Sequence, residues 1–179
     1  MALVAGLTID DFEKLPDAVA LNHELVDGEL VDVSGNTGEH NELRDLIIAL
    51  LWLHFEQHKL GRVLAEQEFD FGGNAHGPDV SFFGQAKVPQ YDRKLRVQRF
   101  VPDLAIEIVS ANDKFQDLML KARRYRNCGT KEVWIFSIEG REAYVLSEKG
   151  DAILDDKQSF QSDLIPGFSI RIDSLFDRL

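Results

Sequence analysis

A chain of 179 residues, 44% hydrophobic and 28% charged, has the size and composition of one globular domain, and a single domain over residues 1–179 is expected. Its one cysteine, Cys128, excludes an internal disulfide framework, and the longest apolar stretch, residues 46–53, is too short to span a bilayer. The formal net charge of −11 speaks against a polyanionic partner until its distribution is considered: residues 87–131 hold 11 Lys/Arg against 5 Asp/Glu. That excess is either a nucleic-acid footprint or a solvated helix and loop. No charged-then-apolar leader opens the chain, since Asp10 and Asp11 follow a short start, so a cytoplasmic location is expected.

In chain order, two strand-like runs in residues 23–33 flank Asp27-Gly28, a pair that accepts the positive φ of a two-residue hairpin turn. A helix follows, with Asn36 and Glu39 in capping-box spacing and Leu43, Leu46, Ile47, Leu50 and Leu53 along one face; Gly61 is placed to end it. Residues 63–71 alternate as one strand, and after the loop 72–77 a second short strand covers 79–83. Residues 104–109 form an apolar run of the kind found in a central strand. Asn112 or Asp113 then caps a second helix whose Phe115, Leu118, Met119, Ala122 and Tyr125 make one stripe, stopped by Gly129. Strands at 133–138, 143–146 and 166–172 and a short helix at 173–179 complete the chain. This order predicts an α/β (α+β) fold, a mixed sheet flanked by two main helices with an N-terminal hairpin.

Glu107 interrupts the apolar run. Alternation points it with Ala105 and Val109, away from Leu104, Ile106 and Ile108. A carboxylate inside a central strand costs several kcal/mol unless it is paired, hydrogen-bonded or bound to a metal. Asp79, at the start of a neighbouring strand, is its natural partner; two such carboxylates repel unless a cation lies between them, and their hard oxygens suit Mg²⁺ or Mn²⁺. Lys121 borders the apolar stripe of the second helix and can lean towards this acidic pair, with Lys114 on nearly the same flank. Taken singly, each has an ordinary reading: a salt-bridged glutamate, a turn aspartate, a snorkelling lysine.

The run from Pro102-Asp-Leu-Ala-Ile-Glu107 through Asp113, Asp117, Lys121, Tyr125, Gly129 and Glu132-Val-Trp134 resembles the Uma2 family of the PD-(D/E)XK nuclease superfamily. The Glu24-Leu-Val-Asp-Gly-Glu-Leu hairpin, the helix bearing His40, Gly77-Pro-Asp79 and Pro166-Gly-Phe168 extend the likeness from about Thr8 onward. The resemblance implies a restriction-endonuclease-like core and a metal-dependent endonuclease acting on DNA. Asp79 and Glu107 would be the metal ligands, with the Ile108 carbonyl as a further oxygen, and Asp79, Glu107 and Lys121 the catalytic set. Val109 stands where the superfamily usually has lysine, and Lys121 takes that part from the next helix. Asp103 reads as a strand-start residue, His40 as a neighbour of the site, and Ser137 departs from an aspartate frequent in relatives. The basic stretches 93–99 and 121–126 would grip the DNA backbone. A homodimer is compatible with this reading, and a non-catalytic nuclease-fold module binding a protein or nucleic-acid partner is its rival.

Other patterns fail on spacing. His54 and His58 are four apart, but Glu56 does not follow the first histidine as a zinc-protease helix requires. Gly72, Gly73 and Gly77 lack phosphate-loop spacing, Ser110 has no flanking elbow glycines, and Cys128 reads as packing.

Overall fold

The computed structural model describes residues 6–33, 35–109 and 114–179. Two single-turn helices, α1 (Ile9–Phe12) and α2 (Asp17–Ala20), precede the hairpin β1 (His23–Val26) and β2 (Glu29–Asp32). Asp27 and Gly28 have φ of 50° and 85°, the positive pair a type I′ turn requires, and Val26 pairs with Glu29 as expected. The first long helix, α3, spans Gly38–His58. Its N-cap is Thr37, not Asn36, because the threonine oxygen accepts the His40 N–H. Lys59, in the left-handed region, ends it. Gly61 instead opens β3 (Gly61–Ala65), where a Cβ would stand 2.1 Å from the Phe83 carbonyl oxygen; it is there for close backbone approach.

The expected strand over 63–71 is two strands. Glu66, at φ 50°, breaks the alternation, so β3 and β4 (Glu68–Asp70) enter different sheets. Next come β5 (Ala75–His76), β6 (Val80–Gly84), a 3₁₀ segment (Gln85–Gln90), β7 (Val97–Gln98) and β8 (Leu104–Val109). The second long helix, α4, covers Phe115–Asn127, and Gly129 follows its C-cap with φ 106°. Asn112, Asp113 and Ser110 lie outside the described residues. Strands β9 (Glu132–Ser137), β10 (Glu142–Ser147), β11 (Gly150–Leu154), β12 (Ser159–Gln161) and β13 (Ser169–Arg171), then α5 (Ile172–Phe176), close the chain. β11 and β12 were not anticipated from the sequence; β11 is almost wholly exposed and carries no inward apolar pattern.

A six-stranded sheet in the order β11-β10-β9-β8-β6-β3 is mixed, with β8 and β9 parallel and its other pairs antiparallel. Leu104, Ile106 and Ile108 face α3 through Leu43, Ile47, Leu51 and Phe55, while Ala105 faces α4 through Ala122 and Tyr125. The alternation read around Glu107 is thus the one that divides the two cores. A five-stranded sheet, β2-β1-β5-β4-β7, has its own small core with α1 and α2 (Ile9, Phe12, Ala20, Leu25, Ala75 and Val97). Among the described residues no helix is long and apolar enough to cross a membrane.

Candidate active site

The two sheets and both long helices meet around a cleft of about 800 Å³. Its floor comes from β8 and from Asp79, the residue before β6; the antiparallel register of β6 and β8 pairs Val80 with Ile106 and Ser81 with Ala105. Continued by one residue, that register sets Asp79 opposite Glu107, and opposed residues of antiparallel strands point to the same face. Pro78, which has no N–H to extend a ladder, stands just before the bend at Asp79 that leads into β6. Asp79 is then fixed twice: its Oδ2 accepts from the Ile108 N–H at 2.7 Å and from His40 Nε2 at 3.2 Å. Burial works against charge on His40, but the hydrogen bond and negative charge of Asp79 outweigh it, and the imidazole is held above its usual range.

Glu107 is 4% exposed. Its Oε1 accepts from the Tyr125 hydroxyl at 2.7 Å and lies 3.2 Å from Lys121 Nζ, which is 3.3 Å from Oε2. Lys121 and Tyr125 are four apart on α4, so both descend from one face onto the same carboxylate. Burial drives the Glu107 carboxyl well above the ordinary carboxylate range; Lys121 only partly offsets it, and the charges of Asp79 and Glu24 add to the rise. The same carboxylates hold the Lys121 ammonium firmly protonated despite its burial.

Sequence reasoning missed the part played by Glu24. This β1 side chain is 5% exposed, and its Oε1 lies 2.9 Å from Lys121 Nζ. Gly77 N–H donates to Oε1 at 3.0 Å, and His76 Nδ1 lies 2.8 Å from Oε2. Arg124 reaches His76 Nε2 at 3.3 Å, so that nitrogen accepts and Nδ1 carries the proton that Glu24 receives. Burial favours this neutral imidazole and keeps the His76 pKa below its usual value. Burial alone would raise the Glu24 carboxyl, but Lys121 and His76 bring it down to about 2. The available signal was a glutamate on a hairpin strand beside a turn, which by itself reads as surface.

The three predicted residues, Asp79, Glu107 and Lys121, all line the cleft, as does His40. Lys114 borders it too, whereas Asp103 is elsewhere, holding Gly84 N–H and pairing with Lys87 and Lys131. Around the cleft stand Glu24, Asp32, Glu66, Glu68, Asp79, Glu107 and Asp117 against Arg96, Lys114 and Lys121. The basic stretches are mostly engaged within the fold. Arg96 pairs with Glu68 and the Ala20 carbonyl, Arg99 with Asp10 and Glu13, and Arg124 with Asp27 and Asn74; Arg126 donates to the Thr130 and Lys131 carbonyls. Arg93, Lys94 and Arg123 remain exposed. His54 donates Nε2–H to the Pro166 carbonyl and packs on Phe168, a structural role, and Cys128 packs beside the α4 core. Among the described residues, no three His, Cys, Asp or Glu side chains converge to hold one ion.

The Uma2 family, described as “Putative restriction endonuclease”, matches residues 9–173. The chain is similar in fold to “a putative nuclease belonging to DUF820” from Anabaena variabilis ATCC 29413, with 19% identity and a TM-score of 0.85 over 96% of this chain and 98% of that one. Among curated proteins none matches it.

Proposed function

The chain belongs to the Uma2 family, and from that premise we propose that it is a metal-dependent endonuclease that hydrolyses phosphodiester bonds in DNA. The observation that carries this reading is the meeting of Asp79, Glu107 and Lys121 at one cleft, from the residue before β6, from β8 and from α4. The donor set fits a hard cation. Two carboxylates stand in adjacent register in a cleft whose lining is mainly acidic, and Mg²⁺ commonly takes only one or two carboxylates while keeping its waters. Asp79 and Glu107 would hold Mg²⁺ or Mn²⁺, which when bound lowers the pKa of a water and offsets charge on the phosphate.

The remaining work falls to the chain's own side chains. The Ile108 N–H and His40 fix the Asp79 carboxylate, and Tyr125 fixes Glu107, so neither has to reorganise when a charged substrate arrives. Lys121, protonated and directed into the cleft, orients the attacking oxygen and faces the charge that grows on the phosphate. The acidic lining of the cleft repels polyphosphate, and a divalent ion held by Asp79 and Glu107 would offset that repulsion. The test is Mn²⁺ calorimetry on wild type and on Asp79→Ala/Glu107→Ala, followed by DNA cleavage assays. Binding and cleavage that vanish together in the double variant support the proposal; a double variant that binds Mn²⁺ or cleaves like wild type overturns it.

A further inference from the structure

The Lys121 ammonium lies across both oxygens of Glu107, at 3.2 and 3.3 Å, and touches Glu24 more closely, at 2.9 Å. Tyr125 already holds Oε1 of Glu107, so Oε2 is the oxygen a cation shared with Asp79 would take, and among the described residues Lys121 is its partner. Two cations cannot share that oxygen without strong repulsion. Lys121 must therefore yield Oε2 as a cation enters, and an ammonium on a flexible stem can do so if a second carboxylate receives it.

Glu24 is built to be that carboxylate. The Gly77 N–H and His76 pin its two oxygens, and Arg124, anchored on Asn74 and Asp27, pins His76. Glu24 lines the same cleft as Asp79 and Glu107, but among the described residues no three acidic or imidazole side chains converge to hold one ion. We propose that Glu24 is a positioning residue for Lys121: without a cation the lysine bridges Glu24 and Glu107, and when the cation binds it leaves Glu107 and is retained by Glu24 alone. The hairpin would then set how readily the sheet's acidic pair is loaded. This inference rests on the reading of Asp79 and Glu107 as cation ligands.

The experiment is Mn²⁺ calorimetry on wild type, Glu24→Gln, Glu24→Asp, Lys121→Met and the Glu24→Gln/Lys121→Met double variant, with melting curves without metal to establish folding. Glu24→Asp keeps the charge but withdraws the carboxylate from reach. Both Glu24 variants are expected to lose about tenfold in Mn²⁺ affinity while Lys121 is present, and Glu24→Gln to change it within about twofold when Lys121 is methionine. Should Glu24→Gln fail to fold, Glu24→Asp carries the test alone. An equal loss in both backgrounds would show Glu24 acting on the metal directly, and a wild-type affinity in Glu24→Asp would reduce its part to bulk charge; either overturns the inference. If Asp79→Ala abolishes Mn²⁺ binding while both Glu24 variants bind like wild type, only this inference falls. If wild type binds no Mn²⁺, the cation reading falls with it.

Discussion

Each of the two sheets buries one glutamate against the same lysine, and the surroundings drive the two carboxyls in opposite directions. Glu24, on the five-stranded sheet, is held charged by Lys121, His76 and a backbone N–H. Glu107, on the six-stranded sheet, has a buried strand around it and two negative neighbours, and its carboxyl is pushed towards neutrality. Equal burial therefore does not set the outcome; the count of donors against acceptors around each group does. The first arrangement stabilises a fold. The second keeps a buried carboxyl under electrostatic stress, a pattern usual for functional centres, and on the proposed reading a divalent cation would relieve it.

The largest effect expected on this contrast comes from Glu107→Gln. If Glu107 is the metal ligand proposed above, the variant should lose about a thousandfold or more in metal-dependent cleavage. Yet its melting temperature should equal or exceed that of wild type, because ionising a group with a raised pKa weakens the fold as pH rises past the ordinary carboxylate value. A clear drop in melting temperature would erase the contrast.

Glu24→Gln should behave in the opposite way. A pKa lowered from 4.5 to about 2 corresponds to roughly 3 kcal/mol, fully present above pH 4.5 and lost as pH falls towards 2. Urea unfolding of wild type and variant should therefore differ most at pH 7 and converge near pH 2. Arg96→Ala tests how the smaller sheet is fastened. Arg96 bridges Glu68 and the Ala20 carbonyl and stands 4.5 Å over the Phe12 ring, so its loss should cost about 2 kcal/mol in urea unfolding. Mn²⁺ affinity should rise with pH above 5, since the cation must displace the proton that Glu107 retains; calorimetry at pH 6 and 8 should differ by about tenfold. The smallest effect is expected from charge reversal at exposed Arg93 or Lys94, a few-fold loss of DNA binding that fades with added salt.

Much of the six-stranded half was legible from residue order. The alternation of residues 104–109 fixed the facing of Glu107, and the stripe of α4 put Lys121 and Tyr125 on one side. Asp79 could be named because a strand start beside a central strand is a local pattern. Glu24 could not, because its meaning lies in partners 52, 53 and 97 positions away (His76, Gly77 and Lys121). The pairing of the basic stretch was hidden for the same reason: Arg96 and Arg99 look unpaired in the sequence, but their acidic partners lie 28 to 89 residues off. The break at Glu66 was hidden because alternation continues through a single left-handed residue and only the change of sheet exposes it.

Helix α4 grips the hairpin twice, one turn apart, through Lys121 to Glu24 and Arg124 to Asp27. Two such ties make the helix and the hairpin a single cooperative unit. Their amides over His23–Asp32 and Phe115–Asn127 should open to solvent together, so the small sheet should be lost from the fold only when α4 goes with it.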